Sequence, residues 1–475
     1  MTTADLAGSV SSSRSHAAAR PRRLPRPVPT WWRDASGAAL WGVLLWVTAL
    51  WVGGGGVTSL GSLAGFFTST GRLTGLVASA LLLVQVFLMA RVPWFEQAWG
   101  QDGLARLHRT VGFTSFNLMW AHIVLITVGY AAASPKGFWG TLVDFVVNYP
   151  GMLLAVAGTA ALVMVVVTSV KKARATLRYE SWHLIHLYGY LGAGLALPHQ
   201  LWTGQEFLSS TVATAFWWTL YAVAAGAVLV YRVGLPMSRS LRAKLVVSDV
   251  RAEGPSATTV TVTGRGVHHL PVQAGQFFTW RFLSGPGWTR GHPYSLSAAP
   301  DGRSLQFTAA HLGDGSAALA ELKRGTPVLV EGPFGRLHTG VRTRRKVLLM
   351  GAGIGITPLK AILEELPQRP GDVTVIQRGS SRHGLVLADE IRDLALARGA
   401  RHIVVEGRRL RGRRTWLPAQ AGHLTDAQAL RELVPDVADH DVFLCGAPEW
   451  MDAARDAALA CGVPAEHIHT ERFAF

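Results

Sequence analysis

The chain has 475 residues, of which 49% are hydrophobic and 16% charged, and 46 Lys and Arg against 30 Asp and Glu leave a net charge of +16. Soluble proteins carry roughly 25% charged residues, so the deficit excludes an ordinary soluble chain, and the length implies more than one domain. The two cysteines, Cys445 and Cys461, exclude a disulfide framework and a CxxC metal pair.

The chain opens on a basic, Pro-rich tail, SRSHAAARPRRLPRPVPTWWR (13–33), which reads as disordered. No small-residue cleavage site marks a signal peptide. Six apolar segments of spanning length follow, at about 38–57, 73–93, 108–130, 151–170, 182–202 and 212–233. Cations gather in the tail, around the second connector (Arg91, Arg106, Arg109), in the fourth (KKARATLR) and after the last span (Arg232, Arg239, Arg242, Lys244). The alternate connectors hold little beyond Arg72 and Lys136. The positive-inside rule puts both termini in the cytoplasm, so the basicity is topological and nucleic acid is not an expected partner. Arg72, near the outer end of the second span, reads as a snorkelling residue or as a holder of an anionic group.

From Lys244 the texture changes to short β-like runs broken by Gly and Pro, such as ATTVTVTG, GQFFTWRFL and TPVLVEGPFG, which predict a small antiparallel β-barrel. From Lys346 strands alternate with helical runs, the pattern of a parallel α/β sheet. The predicted organisation is a tail (1–37), a six-helix transmembrane bundle (38–235), a β-barrel domain (240–340) and an α/β nucleotide-binding domain (341–475).

Five histidines lie in the spanning half, all on the third and fifth spans: His108, His122, His183, His186 and His199. Ionisable residues inside spans usually mark a functional path, and neutral imidazole ligates haem iron. His108 and His122 are 14 residues apart, about 320° of helical rotation and ~21 Å of rise, hence near one face at opposite sides of a bilayer. His186 and His199 are 13 apart, about 220° on an ideal helix, and Pro198 can reorient the last turn. His183 is the rival ligand. Each imidazole alone reads as an interfacial residue, but the spacing predicts two stacked pairs. With the two spans as antiparallel neighbours, these are His108 with His186 (inner) and His122 with His199 (outer).

In the soluble half, GHPYSLSAAP (291–300) offers a Pro-fixed turn, an aromatic ring and the hydroxyls of Ser295 and Ser297 to a flavin and its phosphate; alternatively it is a plain strand start. HLGDGSAALAEL (311–322) puts Gly313, Gly315 and Ser316 at the head of a helical run, a phosphate seat. EGPFG (331–335) reads as a structural turn. GAGIGITPLKAIL (351–363) follows an apolar strand, and Gly351, Gly353 and Gly355 would admit a pyrophosphate at a helix N-terminus. Its G-x-G-x-G spacing departs from G-x-G-x-x-G. Arg378 and Arg382 in QRGSSR stand where a ribose 2′-phosphate is expected and favour NADPH over NADH; a solvated loop is the alternative. Cys445 in DVFLCGAPEWM can touch a nicotinamide or pack as a buried thiol, and the terminal HTERFAF ends in two phenylalanines.

Together these motifs resemble the ferric reductase and NADPH oxidase superfamily of transmembrane flavocytochromes b, from about residue 38 to the end. The resemblance implies two b haems held by histidine pairs on the third and fifth helices, and its spacings of 14 and 13 select His108, His122, His186 and His199. It implies FAD at His292, Pro293, Tyr294 and Ser295, with Gly315 and Ser316 on its pyrophosphate. His292 stands where soluble reductases usually have Arg. NADPH, with NADH possible, would meet GAGIGITP, including Thr357 and Pro358, and Cys445–Gly446. The terminal E-x-F falls on Glu471-Arg472-Phe473, so Phe473, with Phe475 as substitute, would cover the flavin. The implied activity is electron transfer from cytoplasmic NADPH to an extracytoplasmic acceptor, a ferric chelate or O2, at the plasma membrane. The alternative is a haem-containing, membrane-anchored flavin reductase or redox sensor serving a cytosolic partner. No D-x-D-x-D-G calcium loop is present. Accessory subunits and oligomeric state have no signal in the residues.

Overall fold

The computed structural model describes residues 31–472, apart from 178, 286–287, 368, 382–383 and 411. Most of the tail, Arg382, Phe473 and Phe475 therefore lie outside the described residues. The first half is helical: α1 Trp31–Gly53, α2 Leu63–Leu88, α3 Pro93–Trp99, α4 Gln101–Ala131, α5 Gly137–Asn148, α6 Met152–Ser169, α7 Lys171–Thr176, α8 Tyr179–Thr203, α9 Gln205–Leu208 and α10 Thr211–Val228. A π-helical turn, Leu229–Gly234, and α11 (Leu235–Ala243) extend the last helix.

Among the described residues, five helical stretches are long and apolar enough to cross a membrane: Trp31–Gly53, Leu63–Leu88, Gly103–Ala131, Met152–Ser169 and Thr211–Ala243. The expected fifth span falls in α8, which is 25 residues long but carries three histidines and Gln200 and is not among the five. The last apolar helix also runs on to Ala243, ten residues past the expected end. Without water, helices associate through close backbone approach. Accordingly α2 and α4 pack along small residues: a Cβ on Gly71 would meet Ile126 at 2.9 Å, and the Ser115 hydroxyl donates to the Ala78 carbonyl at 2.9 Å. The helices α6 and α8 touch at Gly158 and Gly192 in the same way. Near the N-terminal end of α2, Arg72 is paired with the buried Glu206 and donates to the Gly54 carbonyl. It therefore does not snorkel.

The second half holds two sheets. Strands β1 Leu245–Glu253, β2 Ala257–Thr263, β3 Phe277–Phe282, β4 His292–Ser295, β5 Ser304–Ala310 and β6 Pro327–Phe334 form an antiparallel sheet in the order β4-β3-β6-β1-β2-β5. Alternate residues, among them Phe278, Trp280, Leu305 and Phe307, are buried on one face. The expected barrel does not close. Edge strands β4 and β5 meet only at the isolated bridge Leu296–Phe307, because β4 is four residues long and Pro293 lacks a donor. The one-turn α12 (Asp314–Ala317) follows β5.

Strands β7 Lys346–Ala352, β8 Val373–Gly379, β9 Arg401–Glu406, β10 His440–Cys445 and β11 Ile468–Thr470 form a parallel sheet, order β11-β10-β7-β8-β9. It is flanked by α13 Ile356–Glu365, α14 Ala388–Ala397, α15 Asp426–Leu433 and α16 Pro448–Ala460. β8 is buried throughout and β10 likewise, as a sheet covered on both faces requires.

His338, between the two sheets, accepts from the Gly340 amide through Nδ1 at 3.1 Å. Burial, with Arg336 and His469 nearby, pulls its pKa down to about 4. The unfolded chain takes up a proton there below about pH 6.5, the folded chain only near pH 4. Stability therefore falls as pH drops through that window, by up to about 3 kcal/mol. His338→Asn keeps an acceptor without the titration. The expected result is a smaller loss of thermal stability between pH 7 and pH 5 than in the parent chain.

Candidate functional site

The helix α2 sets the imidazoles of α4. His108 donates from Nδ1 to the Gln85 carbonyl at 3.1 Å, and His122 from Nδ1 to the Gly71 carbonyl at 2.7 Å. Each bond fixes the tautomer and leaves Nε2 as the atom that could bind a metal. On α8, His186 meets the Ser169 hydroxyl through Nδ1 at 3.3 Å and packs on the Trp182 ring, with centroids 4.9 Å apart. The rings of His108 and His186 have centroids 6.0 Å apart, inclined by 57°. Two imidazoles sharing one metal ion through bonds of about 2 Å would hold their centroids on the order of 6 Å apart, so His108 and His186 could hold a haem iron between them.

The expected antiparallel arrangement of the two histidine helices is corrected. α2 faces α4 with Gly71 opposite Ile126 and Gln85 opposite His108, and α6 faces α8 with Ser169 near His186 and Gly151 beside His199. The helices α4 and α8, with one crossing between them, therefore run parallel, which keeps His122 and His199 toward the same end. Gln200, one residue on, donates to the Ser79 hydroxyl at 3.0 Å and accepts from the Tyr221 hydroxyl at 2.7 Å, anchoring the last turn of α8 around Pro198.

In the antiparallel sheet, Trp280 pairs with His292 and Phe278 with Tyr294. Tyr294 stacks on Phe307 with centroids 5.0 Å apart and rings 8° from parallel, and His292 lies parallel to Tyr294 at 6.0 Å. Burial pushes the Tyr294 phenol up to about 12, so it remains a hydrogen donor at physiological pH. The Ser295 hydroxyl is buried and finds no partner among the described residues. An orphaned hydroxyl beside a half-buried aromatic ring fits a polar planar ligand. Ser297 is different: its hydroxyl accepts from Thr308 at 2.9 Å and is used internally. The 313–316 loop closes over His292, since a Cβ on Gly315 would lie 2.6 Å from its ring. The Ser316 hydroxyl accepts from the Leu312 and Gly313 amides at 2.9 and 3.1 Å.

On the parallel sheet, β7 and β10 end in register, Gly351 beside Cys445. A Cβ on Gly355 would come within 2.4 Å of the Cys445 carbonyl oxygen, so only glycine lets the two loops touch. Gly353 has φ +55°, with open space where a Cβ would stand. Thr357 donates to the Ile354 carbonyl at 2.9 Å, and Pro358 is buried in the first turn of α13. Gly446 lies against Ala352 and Trp450. The Cys445 thiol is fully buried and pushed up by burial and then by Glu471. It is therefore no nucleophile.

Arg378 lies in β8, not in a loop, and its guanidinium turns inward to the Gly379 and Val405 carbonyls. The cations at this edge come instead from GRRLRGRR (407–414) after β9, a run whose clustering the sequence displays but which was not singled out. Arg408, Arg409, Arg413 and Arg414 line a hollow with Glu449. A second unanticipated feature joins the sheets. Lys360 on α13 donates to the Ser297 carbonyl at 3.2 Å and to Glu364 at 2.6 Å, and Glu364 accepts from the Ala299 amide at 2.6 Å. This clamps the flavin-type turn to the nucleotide-type helix. Glu471, the last anchored acidic residue, accepts from the Arg336 amide at 2.9 Å.

Residues 74–197 match the family described as "Ferric reductase like transmembrane component". The chain is 32% identical over 204 residues to the ferredoxin reductase component of 3-ketosteroid-9-alpha-monooxygenase of Mycobacterium tuberculosis, covering 42% of this chain and 54% of that protein. It is 30% identical over 213 residues to ferredoxin–NADP reductase B of Sorangium cellulosum, covering 42% of this chain and 85% of that protein. The chain thus spans about half the length of the first curated relatives it matches. Among solved structures, it aligns with the FAD/NAD-binding domain of a Vibrio cholerae nitric oxide dioxygenase, at 25% identity and TM-score 0.40, over 49% of this chain and 99% of that one. With apolar helices of spanning length and a reductase-like module in one polypeptide, the chain belongs to the ferric reductase and NADPH oxidase superfamily of multi-pass membrane oxidoreductases.

Proposed function

We propose that the protein transfers electrons from cytoplasmic NADPH across the plasma membrane to an extracytoplasmic one-electron acceptor. The observation that carries this reading is the His108–His186 pair, 6.0 Å apart between ring centroids on two different helices. In this reading α8 is the fifth of six spans, both termini are cytoplasmic, and His122 and His199 form the outer pair. Bound FAD supplies the conversion of a two-electron donor into one-electron steps, and two bound b haems supply one-electron carriage.

The chain's residues bind and orient. Tyr294 presents its ring and a permanent hydroxyl proton to the flavin, and Ser295 offers its unpartnered hydroxyl. His292, Pro293 and the Gly313–Ser316 loop hold the phosphates, and Ser297 holds the turn itself. Gly351, Gly353 and Gly355, with Thr357 and Pro358 at the head of α13, receive the pyrophosphate of NADPH. The arginines of 408–414, with Arg382, receive its extra phosphate, while Arg378 braces the strand. Cys445 and Gly446 wall the nicotinamide, and Phe473 or Phe475 covers the flavin face until the nicotinamide displaces it. NADPH gives up a hydride and leaves as NADP+; the two electrons pass outward singly and one proton stays in the cytoplasm.

Pairing with Glu206 neutralises Arg72, and Lys136 is likewise paired, with Asp144, so neither outer cation is left to draw an anionic chelate. O2 needs no such charge, and NADPH consumption with O2 alone against O2 plus ferric citrate separates the two acceptors. The reading itself is tested anaerobically: b haem is quantified per purified chain, then NADPH is added and the Soret and α bands are recorded. Two haems per chain, both reduced, are expected. Flavin that bleaches while haem stays oxidised, or a chain without haem, would overturn the reading and favour delivery to a cytosolic partner.

A further inference from the structure

The turn EGPFGR (331–336), read from sequence as merely structural, is where the helical bundle, the flavin-type sheet and the C-terminal segment meet. Glu331 on β6 is buried. One carboxylate oxygen accepts from Arg232, in the π-helical turn of the last helix, at 3.2 Å. The other lies 3.6 Å from Arg281 on β3, the strand that pairs with His292–Ser295. Arg239 donates to the Gly332 carbonyl. The Ser240 hydroxyl accepts from the Val330 amide at 3.0 Å and donates to its carbonyl at 3.1 Å. From the connector after α2, Arg91 lies 4.2 Å over the Phe334 ring while paired with Glu96 at 3.0 Å. The Arg336 amide holds Glu471. Three arginines of the bundle thus grip one turn.

We infer that Glu331, clasped between Arg232 and Arg281, is a positioning residue that seats the flavin-type sheet on the membrane bundle at one fixed separation from the inner histidine pair. The inference rests on the electron-transfer reading above. A buried carboxylate between two guanidiniums is a poor source of net stability, but breaking it leaves uncompensated charge. Such an arrangement specifies geometry rather than affinity. Electron transfer falls steeply with distance, so a shift of the sheet on the bundle reads out as a slower step from flavin to haem.

The test compares Glu331→Gln, Arg232→Met and Arg232→Lys with the parent chain in detergent. Stopped-flow mixing with NADPH follows flavin bleaching and haem reduction separately. Hydrogen exchange of the peptide covering 327–336 reads the seam without turnover. Glu331→Gln and Arg232→Met are expected to bleach flavin at the parent rate, to slow haem reduction severalfold, and to lose protection at the Val330 amide. Arg232→Lys, which keeps the charge, is expected to recover most of the rate. Parent-like haem reduction and exchange in both neutralised variants would overturn the inference. If Glu331→Gln does not fold, the Arg232 pair decides alone. If the parent haems are not reduced at all, the electron-transfer reading fails, and exchange alone then decides whether Glu331 holds the seam.

Discussion

Replacing His186 by alanine is expected to remove one b haem per chain and to abolish reduction of the remaining haem by NADPH, while flavin bleaching persists. The inner pair is built from two helices whose imidazoles are fixed independently: that of α4 by the Gln85 carbonyl of α2, that of α8 by Ser169 of α6 and the Trp182 ring. Neither helix can substitute for the other's nitrogen. Changes that only disturb a ligand's hydrogen-bond partner cost roughly 10- to 100-fold in metal affinity, and deleting the ligand itself exceeds that. His183→Ala is the discriminating control, because the ring facing His108 is that of His186. Haem content by pyridine haemochrome assay should fall from two to one in the first variant and stay at two in the second. The opposite pattern would reassign the inner ligand to His183.

Gly75→Ala is expected to be nearly as damaging to the outer site without touching a ligand. A Cβ there would stand 2.5 Å from Nδ1 and 2.8 Å from Cε1 of His122, and the ring cannot yield without breaking its 2.7 Å bond to the Gly71 carbonyl. Overpacking of this kind costs about 1–3 kcal/mol, and here the strain falls on the ring orientation itself. The expected outcome is loss of the outer haem, or a shift of its midpoint potential and α-band, with the inner haem still reduced. Gly226→Ala on α10, where a Cβ meets nothing within 4 Å, should leave both haems unchanged. Two unperturbed haems in Gly75→Ala would mean that His122 is not held by α2 in the loaded protein.

The residues displayed the helices and strands well, because their signals are local: apolar runs of spanning length, alternating β runs, glycines after an apolar strand. The histidine pairs were legible for the same reason, since helical pitch converts spacing into faces. The direction of α8 relative to α4 was available from counting crossings and was misread as antiparallel. Other features depend on contacts distant in sequence. Lys360 reaches Ser297 across 63 positions, and Arg232 reaches Glu331 across 99. An i,i+4 Lys–Glu pair on a helix reads as ordinary surface chemistry until a carbonyl from another sheet is found on top of it. Arg378 failed for a different reason: a cation at the end of a strand can turn either way, and this one satisfies carbonyls of its own sheet. The barrel was overread, because alternation predicts which face is buried but not whether a four-residue edge strand containing proline can close the circle.

The join between bundle and module has a mechanical consequence. The last apolar helix passes through the π-helical turn into α11, and Lys244 alone, at φ +46°, separates that helix from β1. There is no tether. A reductase that shuttles must dock, deliver and let go, and its throughput is limited by search. Here the search is abolished: one helix runs straight into β1, and Arg232, Arg239 and Arg91 hold the turn at 331–334 against the bundle. The protein behaves as one machine part, and the separation of its two halves is set by folding rather than by diffusion.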